Sequence, residues 1–169
     1  MRARMAALLA VVSCFSAGCI VSFKYPLGPV KKASIDPRLL AVWECRDADP
    51  KPGRLTFMDY DGRQYLLYLT AEGEEPSHFR AYATRIKGRL FLNLQEIGPK
   101  PIEPEWLFWE YTLSADGRLS LRGVTPSPFE KVRDSAKDVR RVLERNLDNA
   151  EFFDSAFTCA KVEQKSEHQ

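Results

Sequence analysis

The sequence predicts a mainly β fold: an antiparallel meander of about eight strands closing into a small barrel, with one amphipathic helix before the last strand. Three observations predict it. Short runs of alternating apolar and polar residues recur between turn residues. Three of those turns share one order, a turn residue, glycine and then arginine, at Gly62-Arg63, Gly88-Arg89 and Gly117-Arg118, spaced 26 and 29 residues apart. All 11 prolines fall outside the runs or at their edges, as ladder hydrogen bonding requires.

The first strand begins at Arg38, where Leu39, Ala41, Trp43 and Cys45 alternate with Leu40, Val42, Glu44 and Arg46. Arg54–Tyr60 and Gln64–Thr70 flank Asp61-Gly62, a dipeptide suited to a tight hairpin because both positions accept positive φ. An acidic loop, Ala71–Ser77, leads to His78–Ile86 and Arg89–Gln95, joined through Lys87-Gly88. A proline-rich loop, Gly98–Pro104, precedes Glu105–Leu113 and Arg118–Val124, which flank Asp116-Gly117.

Ser135-x-x-Asp138 is a capping box that opens the helix. Ala136, Val139, Leu143, Leu147 and Ala150 then recur at three- and four-residue intervals and form its apolar stripe, opposite a mixed-charge solvated face. The last strand is Phe152–Val162, and 163–169 is a polar tail.

Trp106-Leu107-Phe108-Trp109 is apolar on both faces of its strand. One face meets the core. The other is either covered by the helix stripe or forms, with Trp43, an exposed aromatic patch for a ligand or partner. Trp43, Trp106, Phe108 and Trp109 are therefore the candidate binding residues.

Residues 1–18 have the order of a secretory signal: Arg2 and Arg4, an apolar run Met5–Phe15 of 11 residues, then Ser16-Ala17-Gly18. A membrane-spanning helix needs about 20 residues, so the run is too short to span. Cys19 directly after Ala17-Gly18 resembles the lipobox of bacterial lipoproteins. That resemblance implies lipidation of Cys19, cleavage before it and three acyl chains, more than the two that hold a protein stably at a membrane. Ile20, in place of the aspartate that retains many such proteins at the inner membrane, implies the periplasmic face of the outer membrane in a Gram-negative cell. Residues 19–37, with Pro26, Gly28, Pro29 and Pro37 and no periodicity, read as the lipidated cysteine and a flexible tether; 18 residues reach roughly 60 Å fully extended. Residues 38–162 form the β domain.

Removing residues 1–18 from the 169 leaves 151, enough for one domain. Of 25 basic and 23 acidic residues, Arg2 and Arg4 leave with the signal, so 23 face 23. A neutral chain without a basic run argues against nucleic acid as a partner. With Cys14 removed and Cys19 acylated, Cys45 and Cys159 remain. They lie on the first and last strands, and in an oxidising compartment they form a disulfide, or else they are two buried thiols.

Tyr25-Pro-Leu, Ile35-Asp-Pro-Arg-Leu-Leu-Ala-Val-Trp43 and Phe91-Leu-Asn-Leu resemble a group of uncharacterised bacterial lipoproteins. The resemblance implies a lipocalin-like β domain behind a lipidated cysteine.

Chemistry is thin. Two histidines, His78 and His168, do not build a metal site, and no cofactor motif occurs. Asp59 and Asp61 share a hairpin and Glu72, Glu74 and Glu75 a loop, where solvation and turn chemistry explain them. The expected function is a non-enzymatic, membrane-anchored envelope protein whose β domain binds an apolar small molecule or another envelope protein. The competing expectation is a hydrolase or transferase that acts on envelope polymers through paired carboxylates, one of them desolvated.

Overall fold

The computed structural model describes residues 21–46, 53–98 and 105–163. The expected signal, Cys19 and nearly all of the polar tail lie outside the described residues. Eight strands follow one another in chain order: β1 Val42–Arg46, β2 Gly53–Asp59, β3 Tyr65–Ala71, β4 Ser77–Ile86, β5 Arg89–Glu96, β6 Trp106–Leu113, β7 Arg118–Val124 and β8 Phe153–Lys161. Each pairs antiparallel with the next, and β8 pairs with β1, so the ring is a closed barrel. Closure leaves no unpaired strand edge.

The expected hairpins form where glycine supplies a positive φ. Gly62, Gly88 and Gly117 sit at φ 76°, 86° and 78°. Because every strand reverses the last, these three turns lie together at one end of the barrel, the hairpin end. The β3–β4 turn and the long segment between β7 and β8 lie at the other, the loop end.

The first strand starts at Val42, four residues later than its alternation predicts. Leu39 is buried, as the pattern requires, but from a turn: its N–H donates to the Asp36 carbonyl at 3.0 Å, and Trp43 Nε1 donates to the Leu39 carbonyl at 2.9 Å. A buried apolar residue that plugs a barrel end leaves the same local signature as one on a strand.

Inside the ring, opposed residues stack in layers. Trp43 faces Leu55, Leu55 faces Leu69, Tyr65 faces Ala81, Ala81 faces Leu94 and Leu94 faces Leu107. Cys45 and Cys159 are opposite one another across β1 and β8 and are joined by a disulfide, with Cα atoms 3.9 Å apart. The disulfide reading is the one the fold supports, because the closing register itself places the pair in contact.

A second core lies outside the wall. The helix α1, Ala136–Asn146, lays Val139 and Leu143 against the outer face of the barrel with Phe91, Phe108 and Phe152. Ser135 caps it: its Oγ accepts the Asp138 N–H at 3.3 Å and donates to the Asp138 carboxylate at 2.8 Å. Leu147 follows the helix and is buried, while Ala150 belongs to a separate 3₁₀ turn.

Residues 21–37 correct the expectation of a flexible tether. Phe23 is buried, stacks on Phe108 at 4.3 Å, and exchanges two backbone hydrogen bonds with Trp106, at 2.9 and 2.8 Å. Farther on, the Leu27 N–H reaches Asn93, and Tyr82 donates its hydroxyl to the Gly28 carbonyl at 2.5 Å. A Cβ on Gly28 would stand 3.1 Å from Thr84 Cγ2, so a glycine permits the close approach. The segment lacks periodicity because its partners are long-range, which local pattern does not record.

Candidate functional site

The barrel is filled at its waist. Tyr65, Leu67, Ala81, Leu92, Leu119 and Cys159 each show 0% exposure, which leaves no water-sized void beside them. Nearer the loop end the packing opens. Leu69, Leu107, Trp109 and Phe157 point inward from β3, β6 and β8 yet are only partly buried. The Trp109 and Phe157 ring centroids are 6.3 Å apart. Gly123 on β7 faces Trp109, and a Cβ there would meet the indole at 3.8 Å, so the glycine leaves space above that ring. The result is a shallow apolar cup floored by the filled waist.

The hairpin end, where inward-facing Leu90 and Leu113 are likewise partly buried, is crossed by chain. The Asp36 N–H donates to the Tyr65 hydroxyl at 2.6 Å, and Leu39 fills the space beneath Trp43. Burial pushes the Tyr65 and Tyr111 phenols above the ordinary tyrosine range. Arg38 grips the Asp36 carboxylate at 2.7 Å and holds it below the usual carboxylate range.

The four aromatic candidates do not form one surface. Strand alternation sends Trp43 and Trp109 into the barrel and Trp106 and Phe108 outside it. Trp43 is core and Phe108 is buried beneath Phe23 and α1. Trp106 is half-buried on the outer wall, edge-on to Tyr82 at 5.7 Å. Trp109 alone of the four lines the cup. The helix covers the outer face of β6, with help from Phe23 that the sequence pattern did not suggest.

Two polar groups on that outer wall escaped the sequence reading. Glu110 is 2% exposed and receives the Nε of Arg89 at 2.6 Å and of Arg122 at 2.5 Å. Arg122 also lies 3.9 Å above the Phe153 ring, and Arg89 donates to the Leu147 carbonyl beyond the end of α1. The cluster thus fastens the helix end to the wall by charge-assisted bonds. A lone acid inside Trp106–Tyr111 was the available signal, since a charge in an apolar strand needs a partner. Asn93, fully buried in Phe91–Leu94, was the other: its Nδ2 donates to the Tyr82 carbonyl at 3.1 Å and to Thr84 Oγ1 at 2.9 Å.

Of the acids considered for catalysis, Asp59 and Asp61 are occupied by turn structure. Asp59 accepts the Gly62 N–H, and Asp61 accepts those of Arg63 and Gln64. Glu110 is the buried carboxylate among the described residues, and it is committed to two guanidiniums. Among those residues no three His, Cys, Asp or Glu side chains cluster as a metal site would require. No helix among them is long and apolar enough to cross a membrane.

Comparison with known proteins adds no relative: no protein-family model, no curated protein and no solved structure matches the chain.

Proposed function

We propose that this chain is a lipid-anchored cell-envelope lipoprotein, held at the membrane through Cys19, whose barrel is a non-enzymatic binding domain for an apolar group. The leader and lipobox of residues 1–19 support the anchor. The cup carries the binding reading. Leu69, Leu107, Trp109 and Phe157 keep apolar surface accessible inside the loop end, above the filled waist. A filled waist rules a deep calyx out of this reading and limits the ligand to a short apolar moiety, such as the end of an acyl chain or an apolar side chain.

The test uses the soluble Cys19→Ser protein and the fluorescent apolar probe N-phenylnaphthylamine. Probe emission should rise on mixing and fall several-fold with Gly123→Leu, which fills the space over Trp109. No rise, or an equal rise in both proteins, would overturn the binding reading.

A specific observation favours a second ligand class, an envelope protein. Met58 and Tyr60 are 41% and 59% exposed at the β2–β3 hairpin, and Met58 pairs with Leu66 on the outer face. Crosslinking from Tyr60 in intact cells separates this reading from the first.

A further inference from the structure

The outer wall of the barrel is covered on one side only. Residues 21–28 and α1 lie over β5, β6 and the hairpin-end half of β4, where Tyr82, Ile86, Asn93 and Phe108 are buried. On β2, β3 and the loop-end half of β4 the outward side chains keep contact with solvent: Met58 is 41% exposed, and Leu66, Tyr68, His78 and Arg80 are partly so. Strand register sets them side by side. Met58 faces Leu66 and Leu66 faces Arg80, while Tyr68 faces His78 with the two rings edge-on at 4.7 Å. Neighbouring strands stand about 4.8 Å apart, so this apolar and aromatic band is roughly 10 Å across.

One cation is set into that band without a counter-charge. Arg80 lies between Leu66 and Gln95, and its Nη2 donates to Gln95 Oε1 at 2.6 Å. Among the described residues it meets no carboxylate, whereas Arg54, the other arginine on this wall, stands opposite Glu44. A neutral amide satisfies part of a guanidinium fork and none of its charge. A carboxylate matches the fork in both respects and binds it more strongly. The face supplies no such group itself, since no Asp or Glu occupies an outward position of β2, β3 or β4.

Two other occupants fit worse. A second copy docked about a twofold axis would set Arg80 and His78 against their own kind with no carboxylate between them. A bilayer is drawn by basic clusters rather than by one guanidinium. Its flat surface would also desolvate the acids at both ends of the face, Asp59 and Asp61 in one turn and Glu72, Glu74 and Glu75 in the other.

We propose that this wall binds a short protein segment in which a carboxylate sits between apolar side chains, the carboxylate on Arg80 and the apolar groups on Met58, Leu66 and Tyr68. The inference deepens the protein-partner reading above and rests on it. The site lies outside the ring and is separate from the cup.

The experiment installs p-benzoylphenylalanine at Met58 or at Tyr60 in the full chain, irradiates intact cells and maps each crosslinked peptide by mass spectrometry. The Met58 adduct should map to a protein segment with an aspartate or glutamate flanked by apolar residues. It should fall roughly tenfold with Arg80→Gln, as loss of a charge-assisted contact predicts. Changing the mapped acid to lysine should abolish the adduct and Arg80→Glu should then restore it, which separates a lost contact from lost folding. An adduct to lipid or to a second copy of the chain, or one indifferent to Arg80→Gln, overturns the proposed face. A protein adduct from Tyr60 with none from Met58 overturns it and keeps the protein-partner reading. No adduct from either position overturns both.

Discussion

The Asn93 carboxamide accepts the backbone N–H of Leu27 at 2.7 Å, in a buried contact that spans 66 residues of sequence. With its two donated bonds to β4, Asn93 ties the N-terminal segment, β4 and β5 into one unit. An asparagine there satisfies an N–H that would otherwise be buried without a partner.

Asn93→Leu keeps the volume and removes the acceptor. The unpaired Leu27 N–H and Tyr82 carbonyl should cost about 1–3 kcal/mol. Urea unfolding followed by tryptophan fluorescence measures the loss. Amide exchange should accelerate first at residues 23–28, ahead of the barrel strands.

Glu110→Gln should loosen α1 before it weakens the barrel. Breaking a buried ion pair costs about 3–5 kcal/mol. The Arg89 and Arg122 side chains are 29% and 33% exposed and can rehydrate, which lowers the expected loss to about 1–3 kcal/mol. Hydrogen exchange across Ala136–Asn146 should rise severalfold while β2–β4 amides stay protected.

The hairpin glycines, the alternating strands and the helix were legible because each depends on neighbours within a few residues. Gly88 needs only its own φ, and the α1 stripe only its own turns. Cys45 and Cys159 were legible in a different way, through the closure that the strand count implied. What the sequence hid was relational. Phe23 and Leu27 look like islands in a tether until Trp106 and Asn93 are known to lie beside them. The inward and outward sides of Trp106–Trp109 could be separated by alternation, but not which side kept open space. That depends on Gly123, one strand away. Leu39 was rightly read as buried and wrongly read as strand.

Replacing both Cys45 and Cys159 with alanine removes a cross-link between residues 114 apart. On the chain-entropy account the loss is about 4–5 kcal/mol, and native disulfides of small exported domains typically cost about 2–5 kcal/mol to remove. The urea midpoint should fall accordingly, and the untreated protein should shift the same way on addition of dithiothreitol.

Burial pushes the Tyr82 phenol up to about 12. An unfolded tyrosine ionises near 10, so the folded state holds that proton more tightly. The stability it lends is complete below pH 10 and is lost as pH rises from 10 toward 12. Stability should therefore decline over that window, and Tyr82→Phe should shallow the decline without abolishing it, since Tyr65 and Tyr111 are raised in the same direction.

Intact-mass spectrometry of the protein extracted from its own cells tests the anchored reading most directly. The expected species begins at Cys19 and carries the added mass of its acyl chains, in the membrane fraction. An unmodified polypeptide that begins at Met1 and is recovered from the cytosol would contradict it.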